Sequence, residues 1–150
     1  MNKINREKLV FHEKDWNSSS LLNKTNLLLT IYGKVSCGKL KFIDDNVEGY
    51  VEIPSSILGE DKYFVLKSDG DSMINAGINK DDLLVIKMQS YAENGDIAVV
   101  ELDNEVTVKR FYKLEDKQQY KLHPENEKYE DIYLEKCNIL GVAIKIIKDI

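Results

Sequence analysis

The chain has 150 residues, a length that suits one domain with a buried core, and its 43% hydrophobic and 31% charged side chains fit a soluble globular protein. A formal net charge of −5 argues against holding duplex DNA by electrostatics alone, because phosphate neutralisation needs a local excess of Lys and Arg. Two cysteines, Cys37 and Cys137, offer no disulfide framework and suit a reducing cytoplasm. With His12 and His123 as the only histidines and no CxxC or HExxH spacing, neither a metal site nor a cofactor is expected.

Residues 1–30 hold no glycine or proline and carry Asn17-Ser18-Ser19-Ser20 ahead of Leu21-Leu22 and Leu27-Leu28-Leu29. They read as a loosely structured N-terminal arm or linker, with a short helix capped near Ser19 or Ser20. No pair of helices joined by a glycine-containing turn, the pattern of a helix-turn-helix, is legible there. From residue 31 onward the pattern is strand after strand: 31–35, 47–53, 62–67, 83–88, 96–103, 105–112, 117–122 and 139–147. Turns fall at Asn94-Gly95 and Asp103-Asn104, and short helical turns are expected after Pro54 and around Ser72-Met73. Many short strands with regular turns predict a mostly β domain over residues 31–150, a compact bent sheet or partly open β-barrel. The charged run Glu125–Asp131 reads as a solvated loop. The longest apolar run, Ile139–Ile144, stops at Lys145 and is far too short to span a membrane, and no signal-peptide pattern opens the chain.

Chemistry concentrates in Gly70-Asp71-Ser72-Met73 and Val106-Thr107-Val108-Lys109-Arg110. A serine hydroxyl needs a neighbouring base to become a nucleophile, and a lysine serves as that base only when burial favours its neutral amine. Period-two alternation in the second segment sets Thr107, Lys109 and Phe111 on one face, with Val106, Val108 and Arg110 on the other. Taken singly, each residue has a plainer reading. Lys109 would be an edge-strand lysine facing water, Ser72 a turn serine, and Met73 an ordinary core methionine rather than a flexible wall of a site.

A third element changes the balance: Gly33-Lys34-Val35-Ser36-Cys37-Gly38. With Val47-Glu48-Gly49-Tyr50 and Ile53-Pro54, then Gly70-Asp71-Ser72-Met73-Ile74-Asn75-Ala76-Gly77-Ile78, then Asn94–Val100 and Glu105–Arg110, four blocks occur in order over residues 31–147. In these blocks the chain resembles the self-cleaving domain of the LexA repressor family, which includes phage repressors and the UmuD subunit of an error-prone polymerase. The resemblance implies a cleavage region at 31–45, attack of Ser72 on the Cys37–Gly38 bond, and uncharged Lys109 as the proton acceptor. A small residue followed by glycine suits close approach of the scissile backbone to the nucleophile. Backbone N–H groups at Ser72, with Met73 beside them, are the expected oxyanion donors and site wall.

The resemblance further implies a cytoplasmic homodimer pairing near Ile139–Ile147, with a RecA filament on single-stranded DNA as co-protease. Three readings stay open. The chain is the autoproteolytic and dimerisation domain of an SOS or prophage repressor, a UmuD-like polymerase subunit, or a non-catalytic dimerisation module that kept the fold. Signal peptidases pair serine and lysine similarly but depend on a membrane anchor, which is not legible here. A protease acting on unrelated substrates would have to cut them when they are added.

Overall fold

The computed structural model describes residues 26–33 and 47–150. The arm expected before residue 26 and the Cys37–Gly38 peptide lie outside the described residues. Nine strands follow one another: β1 (Asn26–Tyr32), β2 (Val47–Pro54), β3 (Tyr63–Lys67), β4 (Leu83–Met88), β5 (Ile97–Leu102), β6 (Glu105–Leu114), β7 (Gln119–His123), β8 (Ile132–Leu134) and β9 (Asn138–Ile147). They form one open mixed sheet in the order β2-β1-β3-β4-β9-β5-β6-β7-β8. Every neighbouring pair is antiparallel except β1 and β3, which run parallel through Ile31↔Val65 and Tyr32↔Leu66.

The mostly β expectation holds, with two differences in the elements. The first strand begins at Asn26 rather than at residue 31, because Leu29 is buried with Ile53, Leu58, Val65 and Val85 and draws the preceding leucines into the ladder. A strand at Ile132–Leu134 was not expected; it is short and sits just after the charged run.

Central strands are apolar without alternation. Phe64-Val65-Leu66, Leu84-Val85-Ile86 and Ala98-Val99-Val100 are all buried. Successive residues of a strand point to opposite faces, so both faces of these strands are covered. Val65 and Val85 pack in one cluster, while Leu66, Leu84 and Ile86 pack in another with Met73, Ile78 and Val99. Among the described residues no α-helix is present to cover either face, so the strands and their connections themselves supply the burial. No helix among the described residues is long and apolar enough to cross a membrane.

Strand β9 occupies the middle of the sheet, between β4 and β5. A β-carbon on Gly141 would stand 2.5 Å from both the Lys87 carbonyl oxygen and Ile86 Cγ2, so only glycine lets β9 approach β4 this closely. Its first half is core, with Ile139 and Val142 buried, while Ile144 and Ile146 are exposed.

Candidate active site

Ser72 lies in the connection between β3 and β4, residues 68–82. Two backbone hydrogen bonds close its base, Ser68 N to the Asp82 carbonyl at 2.8 Å and Asp81 N to the Ser68 carbonyl at 2.9 Å. The Asp82 carboxylate accepts from Asn79 N at 2.7 Å and pairs with Lys148 Nζ at 2.9 Å. Lys148 first, then the Asn79 amide, hold the Asp82 carboxyl below the usual carboxylate range. Gly70, with φ +116°, turns the chain immediately before Asp71 and Ser72, a conformation side chains resist. Beyond Ser72 the chain winds into a 3-10 turn at Ile74–Ala76. Met73 is buried in the core beneath it and also lines the cleft described below, so its two readings are one position.

Lys109 comes from β6, whose run of β-branched and aromatic side chains pairs with β5 through Ala98↔Lys109. The side chain is buried, at 8% exposure. Its Nζ donates to Thr107 Oγ1 at 2.7 Å, to the Val108 carbonyl at 3.1 Å and to Ser72 Oγ at 3.1 Å. All three partners are uncharged. Burial therefore lowers the Lys109 pKa from its ordinary value with no carboxylate among those partners to oppose it. Ser72 and Lys109 are 37 positions apart in sequence and within hydrogen-bond distance in space.

Around them opens a cleft of about 280 Å³ lined by Ser72, Met73, Ile78 and Lys109, with Gly33 at its edge. Cys37 and Gly38 themselves fall outside the described residues. No group of three or more His, Cys, Asp or Glu is placed to hold a metal ion among the described residues.

Sequence reasoning missed a set of contacts behind Ser72. Residues 127–130 are exposed, as a charged run predicts, but Asn126 is buried and its Nδ2 donates to the Asp71 carbonyl at 2.8 Å. The Tyr129 hydroxyl donates to the Asp71 carboxylate, and Lys128 lies 3.7 Å from it. The Tyr129 hydrogen bond, reinforced by the Lys128 charge, lowers the Asp71 pKa. Thr107, by contrast, had a signal, since alternation already set it on the Lys109 face.

A family model described as Peptidase S24-like matches residues 30–144 of the chain. Among curated relatives, the LexA repressor of Caldicellulosiruptor saccharolyticus is 39% identical over 127 residues, 85% of this chain and 62% of the relative. The LexA repressor of Geobacillus kaustophilus is 44% identical over 118 residues, 77% of this chain and 56% of that protein. That of Desulfitobacterium hafniense (strain DSM 10664 / DCB-2) is 38% identical over 131 residues, 87% of this chain and 63% of its own length. The chain thus spans about six tenths of the length of the repressors it matches.

Proposed function

Because the chain belongs to the Peptidase S24-like family, we propose that it is the autoproteolytic and dimerisation domain, residues 31–150, of a LexA-like transcriptional repressor that cuts its own Cys37–Gly38 bond. Ser72 Oγ attacks the Cys37 carbonyl carbon while its proton passes to the neutral Lys109 amine. The oxyanion that forms is met by backbone N–H groups at Ser72 and Met73. The carbon–nitrogen bond then breaks, the Lys109 ammonium gives its proton to the departing Gly38 nitrogen, and the Cys37 acyl group stays on Ser72. Water, deprotonated by the same amine, then attacks the acyl carbon; the bond to Ser72 Oγ breaks, the ammonium returns its proton to that oxygen, and the Cys37 carboxylate leaves.

One observation carries this reading: a buried amine with three uncharged partners, one of them Ser72 Oγ at 3.1 Å. An amine so surrounded has little to hold its proton, and an adjacent hydroxyl is what it would deprotonate. Tethering supplies the substrate at high effective concentration, so a modest site suffices in cis. Control then requires that the cleavage segment leave and enter the cleft, and a RecA filament on single-stranded DNA is the partner that favours the docked state. Dimerisation uses the exposed side chains at the end of β9, Ile144 and Ile146. Operator contact is made through a DNA-binding segment outside this chain.

The test is incubation of the purified chain between pH 7 and 10 with mass analysis of the fragments. A cut after Cys37 that disappears in Ser72→Ala and in Lys109→Ala is expected. Absence of a cut throughout that range, or a cut that survives Ser72→Ala, overturns the reading.

A further inference from the structure

The connection between β7 and β8 touches both halves of the site. Arg110, the residue after Lys109, donates from Nε to the Glu125 carboxylate at 2.5 Å and from Nη1 to the Gly95 carbonyl at 2.5 Å. Glu125 then reaches the other half, because its backbone carbonyl accepts from Asn75 N at 2.8 Å, just beyond Ser72. The next residue, Asn126, donates from its buried side chain to the carbonyl of Asp71, just before Ser72, at 2.8 Å. The nucleophile is therefore gripped on both flanks by two consecutive residues that are themselves fastened to the strand carrying the base.

Asn126 is the central member of this bridge. Its Oδ1 accepts from Lys128 N at 3.0 Å and its carbonyl accepts from Tyr129 N at 3.1 Å, so the turn around it is folded on the asparagine itself. An amide buried to 7% exposure is satisfied by these partners among the described residues, and a lost one is costly in that setting. Across the cleft, the direct tie from Lys109 to Ser72 is a single 3.1 Å hydrogen bond.

We infer that Asn126 is a positioning residue for self-cleavage: by donating to the Asp71 carbonyl it sets the distance between Ser72 Oγ and Lys109 Nζ. This rests on the Ser72–Lys109 reading above. The Asn126 side chain bonds to the backbone of Asp71 and not to the Ser72 or Lys109 side chain, and it acts through that backbone. Displacing a reacting atom by about 1 Å costs on the order of 100-fold in rate, which is the scale expected when the bridge is cut.

Asn126→Asp keeps the shape and the acceptor for Lys128 N but removes the donor to Asp71, and Asn126→Ala removes both. Full-length wild type, both variants, and Tyr129→Phe are compared for self-cleavage rate across pH 7–10, well below the thermal midpoint of each, with the folded fraction checked by circular dichroism. The expected result is a plateau rate down on the order of 100-fold for both Asn126 variants, with the pH at half-maximal rate unchanged because Lys109 keeps its burial and its Thr107 and Val108 partners. Tyr129→Phe, which leaves the Asp71 carbonyl held, is expected within about threefold of wild type. Since folded fraction is matched, a merely structural asparagine would leave the rate untouched. Wild-type cutting with Asn126→Asp equally fast overturns the positioning role and leaves the Ser72–Lys109 reading standing. Loss of cutting accompanied by a shifted pH midpoint also overturns it, by assigning the effect to the amine instead. Failure of wild type itself to cut overturns the reading beneath, and the inference with it.

Discussion

Thr107 Oγ1 is the shortest hydrogen-bond partner of Lys109 Nζ, at 2.7 Å against 3.1 Å for Ser72 Oγ. The amine is thus held by a hydroxyl two residues back on its own strand, the third-group role that the base proposed above requires. Thr107→Val keeps the branched shape and deletes the acceptor. Self-cleavage at pH 9, followed as loss of intact chain, is expected to slow by about tenfold or more, with Thr107→Ser restoring most of the rate.

Burial of Lys109 has a consequence for stability against pH. Folding lowers its pKa, whereas in the unfolded chain the amine keeps its proton up to about 10.4. Between the lowered value and the ordinary one the unfolded state binds more protons, so stability attributable to this residue rises with pH in that window. Urea midpoints of Ser72→Ala and of Ser72→Ala with Lys109→Met, both unable to cut themselves, should differ most near neutrality, with the methionine variant ahead. The gap should narrow as pH approaches 10. A gap independent of pH would contradict a desolvated amine.

Gly141 faces the main chain of β4 with no room for a β-carbon, and the obstructing Lys87 carbonyl cannot swing aside as a side chain would. Gly141→Ala should destabilise by about 1–3 kcal/mol, the range for overpacking a close interface, read as a lower urea midpoint at unchanged slope.

Burial pushes the Cys137 thiol up to about 11. At pH 8 only about one molecule in a thousand then carries the reactive thiolate. In folded protein Cys137 should resist iodoacetamide at pH 8 and become reactive on adding urea, as peptide mapping of the labelled chain would report.

Most strands could be read from residue types, because β-branched runs such as Val106-Thr107-Val108 have a strong local preference, whereas Ser72 and Lys109 were joined only by the resemblance of the blocks around them to a known family. What escaped depended on distant partners. Leu27-Leu28-Leu29 suits a helix or a strand equally, and only the ladder with β2, together with burial of Leu29, decides it. Ile132–Leu134 is too short for alternation to register. The grip of Asn126 on Asp71 joins residues 55 positions apart, and nothing in a run of charges says which single amide turns inward.

Strand β1 lies hydrogen-bonded between β2 and β3, and its last residue, Tyr32, sits across from Val47, the first of β2. The described strands on either side of residues 34–46 therefore end and begin at neighbouring points of the sheet. The printed pairings of β1 with β2 and β3 all join residues outside 34–46, so the proposed cut between Cys37 and Gly38 leaves them intact. The amino-terminal piece keeps its ladder to Val47–Pro54 and its leucine plug beneath Val65 and Val85, and to depart it must first peel out of the interior of a sheet. If the proposed cut is made, severing the chain and parting the halves are separate events, and the second requires extraction of a paired strand.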